Sequence, residues 1–230
     1  MLNDGSTHAK DNVMFWQTKV VDFSETDFFV MKEQIQRANL VTLLDDDRLR
    51  SISAAMQDCL SLEGDVVECG SYKGGSAGII AQVMRGTGKT LHVCDSFCGL
   101  PEESAHDNYY RQGWMGDTNA ETVRRGLSLL DCAGFTRVHA GFFSDTFPQL
   151  SLDKVCFAHI DVDIYQSAKE CLEFLYPKMV AGGIMIFDDY DWHHCLGNRK
   201  AIDDFFADKP ETPEPFCNCA WHVRIAPTRA

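Results

Sequence analysis

The 230 residues read as one α/β domain, a mostly parallel sheet with helices packed on both faces. Three observations lead there. Short β-branched runs alternate with stretches whose apolar residues recur every three to four positions, the pattern of βαβ units. Glycine or acidic residues follow the runs directly, at Glu68 to Gly70, Asp95, Gly141, Asp161 and Asp188, where an open parallel sheet collects its ligands. The chain is 45% hydrophobic and 24% charged, and at about 150 residues per domain its length suits a single sizeable core.

The elements follow in chain order. Residues 1–40 are mixed, and an amphipathic stretch around Phe28 to Ile35 reads as a helical cap on the domain or a contact between subunits of a homo-oligomer. Residues 41–230 form the main domain. Leu49, Ile52, Met56 and Leu60 make a one-faced helix of Arg48 to Leu60. Asp65 to Cys69, between Gly64 and Gly70, is a buried strand, and a helix starts near Gly75. Leu91 to Cys94 is a strand, and the aromatic-rich loop over residues 102–118 is long enough to act as a lid. A helix over Ala120 to Cys132 and strands at Arg137 to Ala140 and Val155 to Ile160 come next. Then follow a helix over Gln166 to Tyr176, a strand at Gly183 to Phe187 and a helix over Arg199 to Ala207. Cys217 to Ile225 closes the chain as one strand.

Charge and cysteine usage narrow the function classes. With 21 basic against 34 acidic residues the net charge is -13, which disfavours a nucleic-acid polymer as partner. No run of 18 apolar residues and no basic start leading into an apolar cleavage segment occurs, so neither a membrane span nor secretion is expected. Ten cysteines fall mostly inside apolar runs and read as small buried hydrophobes in a reducing cytoplasm.

Glu68-Cys-Gly70-Ser-Tyr-Lys-Gly74-Gly75-Ser76 is a glycine-rich turn between strand and helix, without the Gly-x-Gly-x-x-Gly spacing of a dinucleotide site or the Gly-Lys-Ser/Thr ending of a P-loop. Glu68 at the strand end would repel a pyrophosphate. It suits a cationic or neutral ligand such as the amino-acid part of S-adenosylmethionine, against the plainer reading of a tight βα turn. Asp95 lies 95 − 70 = 25 residues past the first glycine, close to the spacing of about 20 at which a strand-end carboxylate accepts from ribose hydroxyls.

His159-Ile-Asp161-Val-Asp163 ends one strand and Ile186-Phe-Asp188-Asp189-Tyr190 the next, so four carboxylates meet at neighbouring tips. Like charges so placed raise one another's pKa values unless a cation intervenes, and oxygen ligands select a hard ion, Mg²⁺ first, with Ca²⁺ or Mn²⁺ as alternatives. The competing reading makes them helix caps or binders of loop amides. His159, inside an apolar strand end, reads as a satisfied core histidine. His193 or His194 is placed to reach an acceptor or the metal's outer shell. His193-His194-Cys195 and Cys217-Asn-Cys219 lack the spacing of a zinc site. In the lid, Tyr109, Tyr110, Arg111, Trp114 and Met115 suit a sugar or ring-bearing acceptor.

At these residues the sequence resembles the macrocin O-methyltransferase (TylF/MycF) family, whose members methylate sugar hydroxyls on natural products using S-adenosylmethionine and Mg²⁺. The resemblance runs from about Leu40 to Phe206. It passes through Gly64-Asp-Val-Val-Glu-Cys-Gly70, Lys73-Gly-Gly-Ser76, Asp95-Ser-Phe-Cys-Gly-Leu-Pro101, Gly141-Phe-Phe-Ser-Asp-Thr-Phe-Pro148, His159-Ile-Asp-Val-Asp-Ile-Tyr-Gln-Ser167, Leu175-Tyr-Pro177 and Phe187-Asp-Asp-Tyr190. It implies a single Rossmann-like class I methyltransferase domain, with metal ligands Asp161, Asp188 and Asp189 and Asp163 as general base. It also implies cofactor contacts at Glu68, Gly70, Ser76, Asp95, Ser96 and Asp161, with the Gly141 to Asp145 turn, including Phe143, near the adenine. The first 40 residues and the 102–118 loop match poorly, so the small-molecule glycoside acceptor is not specified. A catechol-like diol acceptor and a non-catalytic nucleoside-binding partner are the competing readings. An NAD-dependent oxidoreductase lacks its fingerprint.

Overall fold

The computed structural model describes residues 25–227, so most of the N-terminal cap expectation lies outside the described residues. Its described part is helix α1 (Glu25–Arg37), which buries Phe28, Met31 and Ile35 and packs on α3 (Gly75–Val83). Helix α2 (Asp46–Cys59) starts at Asp45, whose side chain accepts from the Arg48 amide at 2.9 Å, an N-cap that satisfies one otherwise orphaned donor. Its buried stripe includes Leu49, Ile52 and Met56.

Five parallel strands follow: β1 (Asp65–Cys69), β2 (Leu91–Asp95), β3 (Thr136–Ala140), β4 (Val155–Ile160) and β5 (Met179–Phe187). Between or after them come α4 (Ala120–Leu129), the short α5 (Phe143–Thr146), α6 (Tyr165–Leu175) and α7 (Leu196–Phe206). The chain closes with β6 (Glu214–Cys217) and β7 (Ala220–Arg224), and the sheet order is β3-β2-β1-β4-β5-β7-β6, with β7 antiparallel to both neighbours. The α/β expectation holds. The single closing strand does not: it is a hairpin, because Asn218 takes a left-handed φ of 46° and lets Cys217 pair with Ala220 across two residues.

Alternating side chains feed two cores. Val66, Val93, Phe157 and Ile186 join α1 to α4 on one face, while Val67, Cys69, Ala158 and Phe187 join α6 and α7 on the other. β1, β4 and most of β5 are buried on both faces, which is why they read as continuous apolar runs. Among the described residues no helix is long and apolar enough to cross a membrane.

Candidate active site

The strand order reverses at β1, with β2 on one side and β4 on the other, and a cleft of about 690 Å³ opens there beyond the strands' carboxyl ends. Gly70 makes that geometry possible. A Cβ at this position, φ +82°, would stand 1.7 Å from the Asp161 carbonyl oxygen, so only glycine lets the tips of β1 and β4 close up. Gly75 serves packing as well, since its Cβ would lie 2.5 Å from the Val41 carbonyl carbon.

The cleft has two ends. At the β1/β2 end Asp95 accepts from the Ser71 and Tyr72 amides through Oδ2 at 2.9 and 2.8 Å, and from the Phe97 amide through Oδ1 at 2.7 Å. Burial pushes its pKa up and these amides act against it. Ser96 Oγ donates to the Gly99 carbonyl at 2.6 Å, and Ser76 is buried. Gly70, Ser76, Asp95, Ser96, Gly141 and Phe143 all line the cleft. Asp145 does not; it is exposed on α5. Nor does Glu68, which is buried beneath the floor.

At the β4/β5 end ligand atoms of Asp161, Asp188 and Asp189 lie within 4.8 Å of one another, and Asp163 flanks them. Asp163 and Asp189 hold left-handed φ angles of 63° and 55°, and three further non-glycine residues with positive φ, Tyr72, Met115 and Asn218, also line the cleft. Such backbone conformations persist where the surroundings enforce them, commonly at functional sites. Burial first, then the charge of Asp189, pushes Asp163 up to about 7. Burial and the charge of Asp188 push Asp189 up to about 6, and burial together with its neighbours raises Asp161 well above the ordinary carboxylate range.

Arg48, in the sequence only the first residue of a one-faced helix, is the counter-charge. Its Nη1 donates to Asp188 Oδ2 at 2.5 Å and Asp189 Oδ1 at 3.0 Å, and its Nε reaches Asp45 Oδ2 at 3.2 Å. Burial opposes its charge, but the two aspartates override that and raise its pKa. The Cys219 thiol donates to Asp189 Oδ1 at 3.3 Å and the Cys195 thiol to Asp163 Oδ1 at 3.7 Å. All ten cysteines are free thiols.

His159, fully buried on β4, stands with Nδ1 3.2 Å from Glu68 Oε1 and Nε2 3.9 Å from Asp188 Oδ1. Burial lowers its pKa, yet the two carboxylates outweigh burial and push it up to about 10. The 102–118 loop is pinned over the acidic end: Asn108 Nδ2 donates to the His193 carbonyl at 2.8 Å, the Tyr165 amide to Asp107 Oδ1 at 2.9 Å, and Tyr109 stacks on His194 at 3.8 Å. Tyr110 and Met115 from this loop line the cleft, as does Trp192; His193 and His194 do not.

The donor set fits a hard cation. Asp161, Asp188 and Asp189 bring carboxylate oxygens within 4.8 Å of one another, a donor set of oxygens alone. The other end fits the amino-acid and ribose parts of a nucleoside ligand, with Asp95 and the glycine turn on one wall.

Residues 32–223 match the sequence profile of the family described as Macrocin-O-methyltransferase (TylF). The chain is 30% identical over 184 residues to a demethyldecarbamoylnovobiocin O-methyltransferase of Streptomyces niveus, covering 74% of this chain and 69% of that one. It is 27% identical over 181 residues to a mycinamicin III 3''-O-methyltransferase of Micromonospora griseorubida, covering 71% and 69%. The solved structure of the O-methyltransferase NovP superposes with a TM-score of 0.73 at 27% identity, over 81% of this chain and 82% of that one. The calicheamicin methyltransferase CalS11 shares the fold, with a TM-score of 0.65 at 18% identity over 87% and 93%.

Proposed function

The chain belongs to the macrocin O-methyltransferase (TylF) family and is an O-methyltransferase, and on that premise we propose that it methylates a hydroxyl of a small-molecule glycoside, with S-adenosylmethionine as donor, Asp161, Asp188 and Asp189 holding Mg²⁺, and Asp163 as general base. When bound, the sulfonium supplies an electrophilic methyl group, and Mg²⁺ supplies a Lewis acid that orients and acidifies a diol.

The observation that carries the reading is a fourth carboxylate, Asp163, beside the three-carboxylate set, with an oxygen within 4.8 Å of one of Asp189. It lines the same cleft, and its backbone is held in a left-handed conformation. Burial and neighbouring charge push its carboxyl up to about 7 in the metal-free protein, and Mg²⁺ held beside it would lower it, leaving a carboxylate able to accept a proton at neutral pH. The Cys195 thiol donates to Asp163 Oδ1 at 3.7 Å, and Tyr110 lines the cleft with it. Asp163 then accepts the hydroxyl proton as the oxygen attacks the methyl carbon and the carbon–sulfur bond breaks. Asp95 and the Ser71 to Ser76 turn hold the donor, so that much of the acceleration, up to several kcal/mol, comes from alignment.

A sugar acceptor is favoured by the relatives whose names specify a glycosidic position, the mycinamicin 3''-O-methyltransferase and an 8-demethyl-8-(2,3-dimethoxy-alpha-L-rhamnosyl)-tetracenomycin-C 4'-O-methyltransferase of Streptomyces olivaceus, 31% identical over 179 residues. Isotope-labelled methyl transfer tested on a panel of glycosides and simple catechols, with Mg²⁺ or EDTA, separates the readings. Label on glycosides that EDTA abolishes is expected. Equal transfer to catechols alone would replace the acceptor, and EDTA-insensitive transfer would remove the metal.

A further inference from the structure

Below the acidic end lies a row of ionisable side chains that the proposed proton transfer does not use. Glu68 on β1 and His159 on β4 are register partners, and Asp188 follows β5 on the next strand. Their side chains are 0%, 0% and 1% exposed. They interrupt an apolar face that carries Val66, Phe157 and Ile186, where an aliphatic residue at 159 would pack at no electrostatic cost.

The row is incompletely satisfied. His159 Nδ1 meets Glu68 Oε1 at 3.2 Å, whereas Glu68 Oε2, His159 Nε2 and Asp188 Oδ1 have no hydrogen-bond partner among the described residues. The last two face each other across 3.9 Å. Asp188 is therefore gripped on the cleft side, through Oδ2, by Arg48, and faced on the inner side, through Oδ1, by His159. Its backbone carbonyl is held by Asn198 Nδ2 at 3.0 Å. A core histidine serving packing alone would not need its two nitrogens aimed at two carboxylates on the flanking strands.

We propose that His159 is a positioning residue: anchored through Nδ1 on Glu68, it presents Nε2 to Asp188 and sets the orientation in which that carboxylate receives the divalent cation. This rests on the reading of Asp161, Asp188 and Asp189 as metal ligands. Partners that orient a ligating carboxylate from behind typically change metal affinity about 10- to 100-fold when removed.

Two substitutions split the imidazole in half. In His159→Asn the amide stands near the position of Nδ1 and keeps the Glu68 contact; in His159→Gln it reaches the position of Nε2 and keeps the group facing Asp188. Binding of Mn²⁺, read by electron paramagnetic resonance of the free ion, is expected to weaken about 10- to 100-fold in His159→Asn and to recover most of that loss in His159→Gln. Affinity for S-adenosylhomocysteine, read by calorimetry, should be unchanged in both. If both variants bind Mn²⁺ like the wild type, or lose Mn²⁺ and S-adenosylhomocysteine together, His159 is structural only and the proposal is overturned. If the wild type binds no Mn²⁺, the metal reading itself has failed, and this proposal with it.

Nitrogen NMR of histidine-labelled wild-type protein needs no variant. Mg²⁺ is expected to shift the Nε2 resonance of His159 while leaving buried His92 in place, and an unmoved Nε2 would contradict the proposal.

Discussion

The two ends of the cleft are built from the same residue type on neighbouring strand tips, yet they are finished to different degrees. At the β1/β2 end the Asp95 carboxylate already accepts three backbone amides. At the β4/β5 end four aspartates line the cleft, one guanidinium pairs with only two of them, Asp188 and Asp189, and two, Asp163 and Asp189, are held at positive φ. The difference teaches that the first end is satisfied by the chain's own amides, whereas the second is the end at which the proposed cation would bind. Substitutions at the two ends should therefore separate donor binding from metal binding and chemistry.

The largest effect is expected at Asp163. Replacing it with asparagine should lower turnover about 100-fold or more, the scale of a lost acid–base group, with S-adenosylhomocysteine binding retained by calorimetry. Normal turnover would remove it from the mechanism. Asp95→Asn should do the reverse, weakening S-adenosylhomocysteine about 10- to 100-fold, as expected when a charged hydrogen-bond acceptor of about 1.5–3 kcal/mol is lost, while metal affinity stays unchanged.

Arg48→Met tests what the acidic end rests on. Removing the cationic partner from buried carboxylates costs about 3–5 kcal/mol when nothing replaces it, so chemical denaturation in EDTA should show a large loss and in Mg²⁺ a smaller one. A loss of the same size in both conditions would mean that Arg48 and the metal do not share a task.

The smallest effect is a pH trend in thermal stability. Asp189 and Asp163 are raised from 3.8 to about 6 and about 7, so the folded state favours their protonated forms. Metal-free protein should lose stability as pH rises from about 4 to 7, because the folded state then holds charges it disfavours. His159, raised from 6.5 to about 10, adds a loss of the same sign above neutrality. Mg²⁺ binds the deprotonated carboxylates, so the rise in Tm that it produces should grow between pH 5 and 8, which differential scanning fluorimetry can follow. A metal-induced shift that shrinks over that range would invert the assignment.

What the sequence disclosed follows from the range of the forces involved. β1 and β4 were readable because burial on both faces imposes continuous apolar runs with glycine or aspartate at their ends. The acidic tips were readable for the same reason, since strand ends locate whatever follows them. The hairpin at Asn218 was not, because one left-handed residue decides it, and α5, four residues long, is too short to show a period. Arg48 reaches Asp188 across 140 residues of chain, and no local pattern records that distance. His159 was rightly placed in the core, but the two carboxylates beside it come from other strands. Glu68 and Asp145 were linked to the cofactor by resemblance, yet neither lines the cleft.

Mg²⁺ titration by calorimetry into wild-type protein and Asp188→Ala, with S-adenosylhomocysteine titrated into both, asks directly whether a cation completes the acidic end. The expected result is a divalent-ion site in the wild type, loss of that site in Asp188→Ala, and S-adenosylhomocysteine binding in both. A wild type that takes up no divalent ion, or an Asp188→Ala protein that binds it equally well, would contradict the account.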